Sequence, residues 1–226
     1  MNVYAIISTR YKILNFVTKT LISKYKEFGV GVKLLVGQES IFEAYKKGFK
    51  ACDAKDDDVV IFCHDDIELV CTKAEFYKAL GKTLKKSCGI IGPAGTTYLD
   101  GEAVWWNHSH WKEGKHRGRV LHATEEGGAK KSEFGPFGRV TVLDGLFLAA
   151  NHEVWRRVGL GKPDYFEGDW DFYDLHYTSK ANAMGLKNEA VMIDMVHHSV
   201  GDVTGRDSWH KNRAAFIKNT KLPLTC

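Results

Sequence analysis

The chain has 226 residues, of which 44% are hydrophobic and 27% charged, a balance that excludes a disordered chain and allows one domain with a sizeable core. Its net charge of +4 is too mild for a dedicated nucleic-acid binder but suits an anionic small ligand. No apolar run reaches the roughly 18 to 20 residues of a membrane span, Met1-Asn2-Val3-Tyr4 does not begin a secretory signal, and Cys52, Cys63, Cys71, Cys88 and Cys226 form no CxxC pair, so a cytoplasmic protein with free thiols is expected.

In chain order, Val3 to Ser8 is an apolar run of strand length. From Tyr11 to Phe28, the residues Ile13, Leu14, Val17, Leu21, Ile22 and Tyr25 fall at helical intervals before Gly29. Val32 to Val36 reads as a second strand, and Ser40 caps a helix whose Ile41, Ala44, Tyr45 and Phe49 share a face. Val59 to Cys63 is unbroken in apolar character, as a parallel strand covered on both faces requires. A helix over Lys73 to Lys86 and a strand at Gly89 to Gly92 follow. Strands alternating with helices predict βαβ units and an α/β fold with a mostly parallel central sheet flanked by helices. From Pro93 to Arg139 the chain turns to Gly, aromatic and basic residues, which predicts loops and a small antiparallel part. Regular signals return over Arg139 to Ala150, with helices over His152 to Val158 and Asp171 to Met184. A strand from Ala190 to Val196 and a helix around Ser208 to Asn219 complete the chain.

In open α/β sheets ligands collect beyond the carboxyl ends of the strands. There the run Val59-Val60-Ile61-Phe62-Cys63-His64 stops on Asp65-Asp66. Adjacent carboxylates repel, a tension relieved either by a divalent cation with oxygen ligands, Mg²⁺ or Mn²⁺, or by use of the Asp side chains as caps of the next turn. The strand Ala190 to Val196 ends in His197-His198; only one of two successive residues faces a given site, and His198 is the preferred ligand. Asp174 shares a helix face with Asp171 and is a candidate general base, while Asp144, before Gly145, is a further strand-end carboxylate. A basic segment from Lys112 to Lys131 reads as a solvated loop or as an anion or acceptor contact.

Seven stretches in order, among them Ser40-Ile41-Phe42-Glu43-Ala44-Tyr45, Phe62 to Leu69, Gly92 to Thr96, Trp105-Trp106, Val142 to Phe147, Phe172 to Leu175 and Val196 to Ser199, make the chain resemble the family 2-like glycosyltransferases of the GT-A fold. The similarity is to the small branch related to antibiotic-biosynthesis and phage or bacterial surface-sugar enzymes. The resemblance implies a single domain over 1–226, with 1–100 the nucleotide-sugar half and 101–226 the acceptor and catalytic half. It implies a DxD-type motif in which Asp66 holds the metal and Asp65 faces the donor, with His198 as the late metal ligand and Asp174 as catalytic base. Ser8, Thr9, Arg10, Ser40, Asp144 and Gly145 would line the donor, and Trp105 and Trp106 the acceptor. Where the family commonly has Glu-Asp, this chain has Tyr173-Asp174, and Gly37-Gln38-Glu39 stands where an acidic nucleoside ligand is usual.

The expected activity is metal-dependent, inverting hexosyl or pentosyl transfer from a nucleoside-diphosphate sugar to a hydroxyl of a saccharide, a lipid-linked glycan or a hydroxylated DNA base. The alternatives are a metal-dependent phosphoester hydrolase built on Asp65, Asp66, Asp174 and His198, and a non-catalytic nucleotide- or sugar-binding module.

Overall fold

The structure is a computed structural model that describes residues 1–199 and 205–226. The chain begins with β1 (Val3–Ser8), α1 (Phe16–Phe28), β2 (Gly31–Leu35), α2 (Ile41–Lys50), β3 (Val59–Cys63), β4 (Ile67–Leu69) and α3 (Lys73–Leu80). It continues through β5 (Cys88–Gly92), β6 (Ala94–Thr96), β7 (Tyr98–Leu99), α4 (His108–Lys112), β8 (His116–Ala123), β9 (Ala129–Gly135), β10 (Gly138–Val140), β11 (Val142–Leu143) and β12 (Phe147–Asn151). The last elements are α5 (His152–Val158), α6 (Tyr173–Ala183), β13 (Lys187–Ala190), β14 (Met195–His197), α7 (Asp207–Asn219) and β15 (Leu224–Thr225).

A seven-stranded sheet runs in the order β10-β13-β5-β12-β3-β1-β2. Its pairs β1–β2, β1–β3 and β13–β5 are parallel, as the βαβ pattern predicts. The pairs β12–β3, β12–β5 and β10–β13 are antiparallel, so the sheet is mixed rather than mostly parallel. Two of these three pairs come from β12, which returns from the second sheet without a helical crossover and enters between β3 and β5 in the opposite direction. The second sheet has the order β11-β6-β8-β14-β4, with β9 added on β8.

Two sequence expectations shift in instructive ways. Helix α1 starts at Phe16 rather than Tyr11 because the Asn15 side chain accepts from the Thr18 backbone N–H and closes the helix there. Ile13, counted by spacing into the buried face, is 86% exposed. The expected strand Ala190 to Val196 is divided: β13 stays in the large sheet and β14 joins the small one. At the transfer Asp194 takes a bidentate ion pair from Arg119, at 2.7 and 2.6 Å, and its carbonyl accepts from Val70 N–H.

The core between α2, α5, α6 and the large sheet is aromatic. Tyr45 stacks on Phe62 at 4.4 Å between centroids, Trp155 meets Phe62 edge-on at 4.7 Å, and the Trp155 indole N–H donates to Val60 C=O. Helix α2 approaches β1 at Gly48, where a Cβ would lie 2.5 Å from Ile6 Cγ2. Asn188 on β13 is fully buried, accepts from Ile90 N–H and donates to the carbonyls of Thr141 and Thr178, tying α6 to two strands. Cys52, Cys63, Cys71 and Cys88 are buried free thiols and Cys226 is an exposed one. Among the described residues, no helix is long and apolar enough to cross a membrane.

Candidate active site

Residues leaving the ends of β1, β3, β11 and β14 meet the first turn of α6 around a cavity of about 710 Å³. The loop after β3 is pinned from both sides. His64 N–H donates to Leu146 C=O, the Asp65 carbonyl accepts from Thr18 Oγ, and the Asp66 carbonyl accepts from His198 N–H. The chain bends at Asp65 and Asp66 between β3 and β4, and His64, Asp65 and Asp66 all line the cavity.

His64, Asp66 and His197 offer ligand atoms that all lie within 4.8 Å of one another. Asp66 Oδ2 is 3.4 Å from His197 Nε2, and Asp66 Oδ1 is 3.6 Å from His64 Nδ1. Burial alone would raise the Asp66 pKa, yet the two imidazoles outweigh it and hold the carboxyl far below the ordinary range. Asp66 Oδ1 is nevertheless a buried oxygen without a hydrogen bond. His198, the ligand preferred from sequence, does not join this group. Its Nε2 lies 3.2 Å from Glu68 Oε2, because strand alternation turns it away from the side on which His197 faces Asp66. His64 carries no strand-face signal in the sequence; it meets Asp66 across the bend at Asp65-Asp66.

Asp174 stands on the first turn of α6, entered through Phe172 at φ 67°, a left-handed conformation that is strained for an aromatic residue. Burial, followed by the charge of Asp144, pushes the Asp174 carboxyl up to about 7, against the opposing hydrogen bond from Leu175 N–H and the nearby His64. Asp144 also lines the cavity, with Oδ1 accepting from Leu146 N–H at 2.8 Å. At Gly145 a Cβ would lie 2.2 Å from the Tyr173 hydroxyl, so the backbone there passes the α6 turn only as glycine.

The remaining sequence candidates divide. Ser8 lines the cavity with its hydroxyl buried and unpartnered, and Arg10 lies over the Trp170 ring at 4.2 Å. Thr9 is a turn residue whose Oγ accepts from Tyr11 N–H, and Ser40 caps α2 by accepting from Glu43 N–H; neither side chain belongs to the cavity wall. Trp105 is 3% exposed and packs against Phe134, whereas Trp106 is 38% exposed and leans on Trp209. Trp111, Trp170 and Trp209 complete an aromatic wall that no local sequence signal marked, because they come from separate segments. In the basic segment Arg119 is committed to Asp194 and Lys131 to Glu133, which leaves less free charge than the sequence suggests.

A mixed α/β sheet with a carboxylate-and-histidine cluster at its strand ends, facing an aromatic cavity, defines a GT-A architecture. A model of the glycosyltransferase-like family matches residues 22–220, and the chain belongs to that family. The structure of GalNAc-T7 with UDP, GalNAc and Mn²⁺ is similar in fold, with a TM-score of 0.57 at 12% identity over 96% of this chain and 48% of that one. The present chain thus spans about half the length of that structure. A197 from STIV aligns with a TM-score of 0.47 at 14% identity over 88% of this chain and 83% of that one. The inositol-1-phosphate CTP transferase from T. maritima gives 0.41 at 11% identity over 100% and 98%. No curated protein matches the chain.

Proposed function

We propose that this chain is a metal-dependent, inverting glycosyltransferase of the cytoplasm that moves a hexose or pentose from a nucleoside-diphosphate sugar to a hydroxyl acceptor. The acceptor class is a saccharide, a lipid-linked glycan or a hydroxylated DNA base. Residues 1–100 supply most of the donor side, and 101–226 the acceptor side and the base. The observation that carries this reading is the convergence, on one cavity, of a two-histidine, one-carboxylate group and a carboxyl held near neutrality.

The residues fit a divalent cation on their own chemistry. Three donor atoms converge, one of them a buried carboxylate oxygen left without a hydrogen bond, and the mixed N and O set suits Mn²⁺ better than Mg²⁺, which favours oxygen. His64, Asp66 and His197 would hold the ion. Such an ion supplies charge neutralisation to the departing nucleoside diphosphate. Asp174 performs the proton step: at neutral pH it is close to half ionised and accepts the acceptor hydroxyl proton as that oxygen attacks the anomeric carbon. The anomeric bond to the donor phosphate breaks on the opposite face, and its electron pair leaves with the diphosphate. Arg10 and Ser8 stand at the donor end, and exposed Trp106 offers a ring face to a sugar.

The test is calorimetric titration of UDP-, GDP-, dTDP- and CDP-linked sugars, with and without Mn²⁺, into wild type and Asp66→Ala. Metal-dependent binding of one donor, lost in the variant, is expected; no metal-dependent binding by any of the panel refutes the reading. Salt-dependent binding of DNA at low ionic strength tests the modified-base acceptor.

A further inference from the structure

Tyr173 stands where the resembling family places an acidic residue before the base, and its hydroxyl lies at the centre of the site. Tyr173 Oη is 2.6 Å from His64 Nε2 and 3.0 Å from the Gly145 carbonyl oxygen. A carbonyl only accepts, so the single hydroxyl proton is donated to Gly145 and Oη accepts from His64 Nε2–H. With its proton on Nε2, a neutral His64 turns the Nδ1 lone pair toward Asp66 Oδ1, 3.6 Å away. That separation is too long for a hydrogen bond and brings two electron-pair donors face to face. A positive charge there resolves the conflict: a second proton on Nδ1 in the metal-free protein, or a cation when the site is loaded.

We infer that Tyr173 is a positioning residue: the relay from His64 Nε2–H through Tyr173 Oη–H to the Gly145 carbonyl locks the imidazole with Nδ1 presented to a divalent cation shared with Asp66 and His197. The inference rests on the metal reading proposed above and adds to it a residue that touches neither metal nor substrate. Such outer partners fix the tautomer and ring orientation of histidine ligands. Packing keeps the phenol in place. Tyr173 is buried, its ring meets Tyr45 at 5.7 Å and Phe42 at 6.4 Å in edge-on contacts, and Gly145 has no side chain to displace the hydroxyl. Because Asp174 is the next residue, a single turn of α6 sets both the ligand geometry and the base.

The experiment is calorimetric titration of Mn²⁺ into wild type, Tyr173→Phe, His64→Ala and the double variant, with long-range ¹H–¹⁵N spectra of histidine-labelled wild type. Tyr173→Phe keeps the ring and removes only the relay. It is expected to weaken Mn²⁺ binding about 10- to 100-fold, and to add less than about twofold in the His64→Ala background because both changes act through one ligand. The wild-type spectra are expected to show His64 with its proton on Nε2. Three results overturn the inference: Mn²⁺ binding by Tyr173→Phe within about twofold of wild type, an undiminished loss in the His64→Ala background, or a wild-type His64 with its proton on Nδ1 alone. A wild type that binds no Mn²⁺ overturns the metal reading itself, so the two failures are told apart. The tautomer measurement uses the unaltered protein and stands even if a variant does not fold.

Discussion

Replacing Asp174 by Asn keeps the size and polarity of the side chain while removing the charge that its surroundings resist. Its carboxyl, raised to about 7 mainly by burial and then by Asp144, holds a proton more tightly in the folded chain than in the unfolded one. The sign follows from linkage. The stabilising contribution of the protonated group is complete below pH ~4, where the unfolded carboxyl is also protonated, and is lost as pH rises through about 7. A difference of about three pH units at ~1.4 kcal/mol each gives a ceiling of ~4 kcal/mol. The cavity admits water to one side of the group, so roughly half of that is expected. Asp174→Asn should therefore raise stability by about 2 kcal/mol at pH 8, or ~4–8 °C in Tm for a chain of this size, and by almost nothing at pH ~3. Thermal and urea unfolding followed by circular dichroism at the two pH values, in EDTA, measures the difference. An equal effect at both values, or a loss at pH 8, would refute the placement of the Asp174 carboxyl in a site that opposes its charge. The same substitution should abolish transfer, and wild-type turnover should climb with pH through about 7 as the base becomes available.

His197→Ala should weaken Mn²⁺ binding at least ~100-fold, whereas His198→Ala, which removes only a surface partner of Glu68, should change it less than about twofold; calorimetry on the two variants decides between the adjacent histidines. Gly145→Ala drives a Cβ into the Tyr173 hydroxyl and should cost ~1–3 kcal/mol in urea unfolding while also weakening Mn²⁺ binding; a variant as stable as wild type would show that Tyr173 yields freely. Asn188→Ala strands the Ile90 N–H and two carbonyls in the core and should cost about 3 kcal/mol or more, seen as a lower urea midpoint at unchanged slope.

The sequence by itself determined the parts whose cause is local. The apolar runs of β1 and β3 are covered on both faces and could be read without partners, and Gly29 and Ser40 carry the backbone or side-chain chemistry that ends or starts a helix. Asp65, Asp66, Asp144 and Asp174 follow or open such elements, so their arrival at one edge of the sheet was legible from order alone. Tertiary structure decided what depends on pairing between distant segments. The insertion of β12 between β3 and β5 made the sheet mixed, and the transfer of the chain between sheets at Asp194 fixed the register of β14 against β4. A shift of one residue in that register exchanges the two faces of a strand, so only the paired structure could decide which of the two histidines faces Asp66. The aromatic wall and the Tyr173 relay have the same origin, since each joins side chains separated by long stretches of sequence that share no local pattern and meet only when the two sheets and α6 pack together.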